Sequence, residues 1–402
     1  MRARARLHLL DWLGCVAGAR RSWGLELTTC YTPIQHAALL GNVLEMDDVH
    51  RAALLHPGPV VWPAALADAD ELGTLLDAGV RGYEAMISVG ATFDARHYAF
   101  HHNTATAGPF GAAAAAGSAK GWRNVGTFVH ALGLAGSVTG GLWQLRHELG
   151  EAKQFHILHA VETGRSAALA AAHGLRGPRS VLDGPQGLWA ATCDAPRADR
   201  LLGPADGWRM AEVSFKPWAA CRHAHPAIDA ALMLRAEGAL DGGPVLVEAY
   251  ADALGFCDRP EPRTVLDAKF SLQHAVAVVA ARGAPRPADF EAEAIAALAP
   301  ERARVAVREA PEISARYPDH FGARVSAGGR RIELVDTLGD PERPLDEAGV
   351  VAKARELMAW GGVTDEEAER MIAFVLDAPE DEDAGFITDR LAAWLGPEGR
   401  RE

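Results

Sequence analysis

Helical periodicity in an alanine-rich first half constrains the fold more than any other feature of this chain. Between Ala5 and about Leu201, apolar residues recur at the three- and four-residue spacing of an α-helix, and alanine and leucine are strong helix formers. Interior glycines around 111–117 and 133–141 suit helices that pack closely on their neighbours. The segments that each predict one helix are AALLGNVLEM, GPVVWPAALADADEL, GVRGYEAMISVGATF, GPFGAAAAAGSAKGW, TFVHALGLAGSVTGG and HILHAVETGRSAALAAAHG.

The pattern changes from about Ser214. The segments PVLVEAYADAL, RARVAVREA and ARVSAGGRRIELVD alternate or carry β-branched residues, and AGG stands where a hairpin turn is expected. Helical patterns at 226–240 and 266–283 are interleaved with them, and the last segment returns to helix, with Thr364 and Glu367 forming a capping-box pattern. The sequence predicts a mainly α protein: an all-helical domain, 1–213 plus 346–402, with an inserted smaller α+β lid domain, 214–345.

Charge and composition exclude several classes of partner. The formal net charge of −13 disfavours binding to nucleic acid or to an anionic membrane surface, because both require a positive field. No stretch approaches the length of a membrane span, and Asp11 interrupts the apolar start, which favours an amphipathic helix over a signal peptide. Five widely spaced cysteines without a C-x-x-C pair indicate reduced thiols, so we expect a cytoplasmic protein.

The stretch LEMDDVHRAALLHPG, at 44–58, concentrates acids and histidines. If LLGNVLEMDD is helical, Glu45 and Asp48 lie three residues apart on one face, and His-Pro-Gly from His56 breaks the chain before the next helix. Such a break can hold a histidine at the mouth of a cleft. Taken alone, however, a solvated loop with acids near a helix end is the more common explanation.

A second cluster is YAFHHNTATAGPFGAAAAA. His101 and His102 precede a small polar run and a Gly-Pro entry into an alanine helix. Free amide groups at a helix start attract carboxylates or phosphates, and the hydroxyls of Thr104 and Thr106 can assist. The simpler interpretation is that Thr106 caps the helix and one histidine faces solvent.

Lysine is rare in this chain, where only five of the 40 basic residues are lysine. A buried lysine can release its proton and arginine cannot, so Lys153 and Lys216 are candidates for chemistry. Lys216 stands at the predicted domain junction, a common place for ligand sites, and His225 follows it closely. His274 lies on a strongly apolar helix, where a satisfied core histidine is the usual explanation.

Motifs of other chemistries are missing from the sequence. It contains no G-x-S-x-G, no H-E-x-x-H, no G-x-x-x-x-G-K and no G-x-G-x-x-G after a strand. A metal site of His56, His102 and Asp48 is compatible with the residue types, but nothing in their spacing requires it. We therefore expect neither a metal nor a cofactor.

Seven segments follow one another along the chain: LLDWLGCVAG, GNVLEMDDVH with HPGPVVWPAALA, RGYEA, HHNTATAGPFGAAAAA, KQFHILHAVETGRSAALAAAHGLRGP, FKPWAACRHAHPAIDA and AKFSLQHAVAV. In this order they resemble the MmgE/PrpD family, which includes 2-methylcitrate dehydratase, cis-aconitate decarboxylase and iminodisuccinate epimerase. The resemblance covers nearly the whole chain from Leu9 and implies a helical domain with an inserted α+β lid, paired as a homodimer. It implies that the cleft residues are Asp47, Asp48, His56, His102, Lys153 and Lys216.

The chain departs from many dehydratase and decarboxylase members of that family at four positions. It has Glu45 where they have aspartate, Val49 where they have threonine, and His274 where they have a lid tyrosine. Their His-Pro-Ser is His-Pro-Gly here, ending at Gly58. The specific activity therefore does not transfer with the fold.

The family chemistry suggests roles for these side chains. A hydrogen next to a carboxylate is a weak acid, so the site must hold the substrate by cationic groups, remove the proton and stabilise an enediolate. We expect His102 and Lys153 to flank the reacting carbon as base and acid, in an order that the sequence leaves open. The further expected roles are carboxylate binding by Lys216 and Thr104, positioning or proton relay by His56 and Asp48, lid chemistry by His274, and substrate binding by Asp47, Glu45 and His225.

The function expected from these residues is a cofactor-free lyase acting on a small di- or tricarboxylic acid, with loss of water or carbon dioxide. An epimerase that returns the proton to the opposite face is the close alternative, because the threonine and tyrosine are missing. A non-catalytic member that binds a metabolite is a third, and the retained histidines and lysines argue against it.

Overall fold

The computed structural model describes residues 1–22, 30–148 and 150–396. Residues 23–29, 149 and 397–402, which the predicted helical domain includes, lie outside this description. Two compact units are present: Met1–Val43, Asp47–Val213 and Glu347–Glu402 form the first, and Leu44–Met46 with Ser214–Asp346 form the second. The prediction of a mainly α fold with a smaller α+β part is confirmed.

The first unit is built from helices packed around α6. Every residue of α6 is buried, and apart from Phe110 its side chains are small. The helices described in this unit are α1 (Arg2–Gly18), α2 (Pro33–Leu40), α3 (Gly58–Leu66), α4 (Leu72–Ala91), α5 (Ala95–Phe100), α6 (Asn103–Ala119), α7 (Val125–Ser137), α8 (Ala152–Ala172), α9 (Leu188–Thr192), α17 (Glu347–Trp360), α18 (Asp365–Asp377) and α19 (Gly385–Leu395).

Glycines set how closely α6 approaches its neighbours. A Cβ at Gly111 would lie 2.6 Å from the Cβ of Met86 on α4, and a Cβ at Gly164 of α8 would lie 2.4 Å from the Cβ of Ala112. Contacts this short force a neighbour to move, so only glycine permits the observed spacing. The predicted close packing of helices is therefore present on two sides of α6.

A buried ion pair links α1 to α17 within the first unit. Nζ of Lys353 on α17 donates to Oδ1 of Asp11 on α1 at 2.5 Å. Burial raises the pKa of Asp11 to about 6, although the Lys353 charge acts in the opposite direction. The pairing compensates two charges that would be costly to bury alone.

The second unit combines helices with a four-stranded mixed sheet in the order β2-β1-β3-β4. Strand β1 (Val245–Ala249) runs parallel to β2 (Val305–Glu309) and antiparallel to β3 (Ala323–Ala327), which pairs antiparallel with β4 (Arg330–Leu334). Its helices are α10 (His225–Ala236), α11 (Ala251–Cys257), α12 (Val265–Lys269), α13 (Leu272–Arg282), α14 (Ala292–Ala297), α15 (Ala299–Arg302) and α16 (Pro311–Ser314).

The hairpin predicted at AGG is confirmed. Gly328 and Gly329 connect β3 to β4 with φ values of 56° and 73°. Positive φ at both central residues matches the twist of the two strands and favours glycine. Of the capping box predicted at Thr364 and Glu367, only the Thr364 half is present: its side chain accepts a hydrogen bond from the backbone N–H of Glu367, whose carboxylate accepts from Nε1 of Trp394.

The prediction of one helix over AALLGNVLEM was wrong. Helix α2 starts after Thr32, whose side chain forms a capping box with Gln35, and it ends at Leu40. Turns follow, and Glu45 has a φ of 57°. Glu45 and Asp48 therefore do not share a helical face.

Three other predicted helix boundaries were also wrong. Helix α6 begins at Asn103, so Pro109 lies inside the helix and the Gly-Pro pair is not its start. The segment predicted at 266–283 is two helices, α12 and α13. The segment GPVVWPAALADADEL divides between α3 and the start of α4.

Within the described residues, no helix is both long enough and apolar enough to span a bilayer.

Candidate active site

Asp48 is a fully buried anchor in the loop before α3. Its Oδ1 accepts the backbone N–H of Gly58 at 2.9 Å. Its Oδ2 accepts the hydroxyl of Tyr83 at 2.6 Å and lies 2.7 Å from Nδ1 of His8. Burial, followed by the Asp48 charge, raises the pKa of Tyr83 well above its usual value, so the phenol keeps its proton as a donor. The carboxylate thus fixes the start of α3, next to His56.

His56 is held in one tautomer. Its Nδ1 lies 2.9 Å from Oδ2 of Asp47 and 3.1 Å from the backbone oxygen of Asp48. Both partners are acceptors, so Nδ1 carries the hydrogen and Nε2 is left for other chemistry. Asp47 is itself fixed by Asn42, whose amide donates to Oδ1 at 2.7 Å, and the backbone N–H of His56 donates to Oγ1 of Thr104 at 3.0 Å. The imidazole is thus held by the Asp48 backbone oxygen and lies against the buried Asp47 carboxylate.

His102 is the N-cap residue of α6 and is only 1% exposed. Its ring lies 4.5 Å from the ring of Trp143, and its Nδ1 lies 3.3 Å from Nδ1 of His156. Burial lowers its pKa well below the usual value, and the positive charges of His156 and Lys153 lower it further. A neutral imidazole is therefore present at neutral pH.

Two cationic side chains, Lys153 and Arg146, lie near His102. Lys153 is buried in the first turn of α8, three residues before His156. Arg146 stacks over Trp143 at 4.5 Å and over Tyr98 at 4.9 Å, so its guanidinium is held in place. Both His56 and Arg146 also lower the pKa of His102. We refer to His56, His102, Arg146, Lys153 and His156 as the His102 cluster.

The start of α6 contributes to this cluster, although not as the simplest interpretation predicted. Thr104 is fully buried and accepts from the His56 backbone. Thr106 is not the cap, since the N-cap is His102, and its hydroxyl lies 3.2 Å from Nε2 of His97. His101 stacks on His97 at 4.8 Å rather than on His102.

In the second unit, Lys216 and Glu45 form a buried pair. Nζ of Lys216 lies 3.8 Å from Oε2 of Glu45, and both side chains are almost completely shielded from solvent. Glu45 lies in the second unit with Lys216, although Asp47 belongs to the first. Their predicted roles in substrate binding stay predictions.

Two predicted histidines of the second unit are bonded within that unit. Nε2 of His274 donates to the backbone oxygen of Asp289 at 2.8 Å, and Nη1 of Arg302 lies 3.3 Å from its Nδ1. Burial lowers the pKa of His274 to about 4. Nε2 of His225 donates to the backbone oxygen of Ala220 at 3.0 Å. The contacts of His274 favour a core histidine, and its catalytic role stays a prediction.

The metal alternative of His56, His102 and Asp48 gains no support, since the Asp48 carboxylate is bonded to Gly58, Tyr83 and His8. In the part of the chain that the structure describes, three metal-binding side chains converge elsewhere, at His320, Asp336 and Glu342 of the second unit. His320 and Asp336 form an ion pair there at 2.7 Å.

Comparison with known families agrees with the resemblance in the sequence. Residues 28–201 match the model of the MmgE/PrpD N-terminal domain, and residues 218–378 match that of the MmgE/PrpD C-terminal domain. The chain belongs to the MmgE/PrpD family. Members of this family are generally enzymes, namely dehydratases and related proteins. No curated protein matches this chain.

Three side chains of this MmgE/PrpD protein were missed by reasoning from the sequence. His156 had a readable signal, because it follows Lys153 by three residues on a predicted helix. Arg146 lies in a four-residue 3-10 helix, Trp143–Arg146, which is too short to show a periodicity in the sequence. Tyr83 reaches Asp48 across 35 residues, a distance in sequence that no local pattern spans.

Proposed function

We propose that this MmgE/PrpD protein removes a proton next to a carboxylate of a small di- or tricarboxylic acid, using only its own side chains, and that loss of water or carbon dioxide follows. The observation that supports this proposal is the His102 cluster. It combines a buried neutral imidazole with the cationic side chains of Lys153 and Arg146. These are the base and the positive charges that formation of an enediolate requires.

The cluster favours a polyanionic substrate. The positive charges that lower the pKa of His102 are buried close together and repel each other. A molecule with two or three carboxylates supplies the opposite charge. Binding would also raise the basicity of His102 at the moment when a base is needed. Substrate binding therefore makes His102 a stronger base.

We assign the base to His102 and the acid to Lys153. The imidazole is neutral at neutral pH and can take a proton, whereas the buried ammonium can stabilise the developing enediolate and donate a proton. His56, oriented by Asp47, would pass a proton to the leaving hydroxyl or to carbon. Asp48 would hold this arrangement in place, and carboxylate binding by Lys216 and Thr104 stays a prediction.

An epimerase is the second candidate. The observation that favours it is the presence of two separately held imidazoles, His56 before α3 and His102 at the start of α6. Two such groups can remove a proton from one face of a carbon and return one to the other face. Water or carbon dioxide would then not be lost.

A homodimer is proposed on the basis of exposed apolar side chains close in sequence to the cluster. Phe100, Val138, Leu142 and Phe155 are each more than half exposed. Contiguous exposed apolar patches are typical of protein interfaces, and we propose that these four side chains form one. Light scattering coupled to size-exclusion chromatography should give twice the 42.7 kDa chain mass, and the chain mass alone would contradict the proposal.

The direct test is proton NMR of the purified protein in D2O. Citrate, 2-methylcitrate, cis-aconitate, iminodisuccinate and malate would each be followed for loss of the signal next to the carboxylate. New vinyl signals or loss of a carboxylate would establish a lyase, and exchange without a new product would establish the epimerase. Binding without exchange, seen as a raised melting temperature, would contradict both candidates.

Matched lysine variants locate the chemistry. Lys153→Met should abolish the reaction, because it removes the cation next to His102. Lys120→Met is the control, since Lys120 forms a partly exposed ion pair with Asp68 at 2.8 Å. Equal activity in the two variants would contradict the role of Lys153.

A further inference from the structure

We propose that His156, which was not among the residues named from the sequence, is a positioning residue of this site, and that its imidazole determines which ring nitrogen and hydrogen His102 presents to the substrate. The catalytic consequence of this inference rests on the proposed function. The hydrogen bond between the two rings does not depend on that function.

The geometry of the pair is specific. Helix α8 places His156 three residues after Lys153, on the same face, and Nδ1 of His156 lies 3.3 Å from Nδ1 of His102. Two imidazole nitrogens at this distance form a hydrogen bond only if one carries a hydrogen and the other does not. Among the described residues, neither ring has another side-chain hydrogen bond, so the tautomers of the two rings are coupled.

One state of the pair is suited to proton removal. When Nδ1 of His102 carries the shared hydrogen, Nε2 of His102 is unprotonated and can take a proton from the substrate carbon. The C–H electron pair stays on the substrate as the enediolate, and His102 becomes an imidazolium. The shared hydrogen can then move to Nδ1 of His156, which leaves His102 neutral with a hydrogen on Nε2 and places the positive charge on His156.

The surroundings keep the pair neutral until an anion binds. Burial lowers the pKa values of both His102 and His156. The charged and titratable groups that face the pair are His56 from the loop before α3, Arg146 from the 3-10 helix Trp143–Arg146, and Lys153 and His159 from α8. All four disfavour a proton on the pair. A polycarboxylate would reverse that balance and bring about proton uptake.

The pairing is tested without any substrate. Long-range proton–nitrogen NMR of 15N-labelled protein reports the tautomer and the pKa of each histidine, with signals assigned from His102→Asn and His156→Asn. In His156→Phe, the pKa of His102 should rise by about half a unit or more, because His156 no longer repels a proton on His102 as the two rings titrate. His159→Asn, further along α8, is the control. An unchanged tautomer and pKa of His102 in His156→Phe would overturn the inference.

The catalytic consequence needs an active acid from the NMR panel above. His156→Phe should lower kcat about tenfold or more, with little change in KM, and should shift the acidic limb of the pH profile. His156→Gln, which retains a donor and an acceptor, should restore part of kcat. Wild-type kcat and pH profile in His156→Phe would refute the role of His156 and leave the proposed function standing. If no acid of the panel reacts, the proposed function is refuted. The substrate-free NMR experiment still decides whether His102 and His156 are paired.

Discussion

His102 in the first unit and His274 in the second are both buried histidines with lowered pKa values, yet their surroundings differ. His274 has a partner at each nitrogen, Asp289 and Arg302. His102 has a hydrogen-bond partner only at Nδ1 among the described residues, and its neighbours are cations and another imidazole. Burial alone therefore does not mark a site. What distinguishes the two is an imidazole nitrogen left without a partner beside charges that need a counter-ion.

The largest expected effect separates the two histidines directly. His102→Asn should lower kcat by about 10²- to 10⁴-fold, the usual contribution of a general acid or base. His274→Asn should leave kcat within a few-fold of wild type, because its contacts are internal to the second unit. Steady-state kinetics at saturating acid measures both.

The opposite pattern would reverse the comparison. If His274→Asn lost activity while remaining folded, the role predicted for it from the lid tyrosine of related proteins would be correct. A small effect of His102→Asn in the same series would remove the basis for the assignment of His102.

The buried ion pair between Lys353 and Asp11 should affect the stability of the first unit. Lys353→Met leaves the carboxylate of Asp11 buried without its partner, which should lower the free energy of unfolding by about 3–5 kcal/mol. The double variant Asp11→Leu with Lys353→Met should recover most of that loss, because no isolated charge remains. Urea denaturation measures both, and a double variant as unstable as the single one would show that packing, not charge, is responsible.

Tyr83 tests whether Asp48 is an anchor and not a reacting group. Tyr83→Phe removes one donor to the Asp48 carboxylate and should cost about 1.5–3 kcal/mol of stability, as is typical of hydrogen bonds to charged groups. Turnover should change only a few-fold, since Asp47 still orients His56. A large loss of kcat at unchanged stability would instead place Tyr83 in the reaction.

The smallest expected effect is a pH dependence of stability that belongs to His274. Its pKa is about 4 in the folded protein against an ordinary value of 6.5, so the unfolded chain binds more protons between these values. The stabilisation is complete above pH 6.5 and is lost as the pH falls toward 4, by about 2 kcal/mol between pH 7 and pH 5. His274→Asn should lack this share of the acid sensitivity. Denaturation of the wild type and of His274→Asn at pH 7 and pH 5 measures this difference. An equal loss of stability in both proteins between these pH values would refute the assignment to His274.

The sequence was most informative where the fold repeats a local pattern. Helical spacing, the Gly328-Gly329 hairpin and the Thr364 cap depend on neighbours in the chain, and the structure confirms all three. The family and the fold class followed from linked motifs. Helix ends were less predictable. The turns after Leu40 and the left-handed Glu45 override a helix-favouring composition, and the Lys216–Glu45 contact, across 171 residues, has no local signal.

The candidate site was predictable in its residue types but not in its pairing. His56, His102 and Lys153 were named from the sequence, and the structure brings them together. Asp47 contacts His56, whereas Asp48 contacts Tyr83 and His8. These partners depend on the directions of the two side chains in an irregular loop. Adjacent acids in such a loop point to different partners, and the sequence does not encode which.

The most direct measurement of the central claim is the exchange of the hydrogen next to the carboxylate in D2O, followed by NMR with wild type and His102→Asn and the most reactive acid of the panel. Exchange reports cleavage of the carbon–hydrogen bond whether water, carbon dioxide or nothing is lost afterwards. We predict exchange in the wild type and its loss in His102→Asn, with the variant still folded. Exchange at the wild-type rate in His102→Asn would contradict the account.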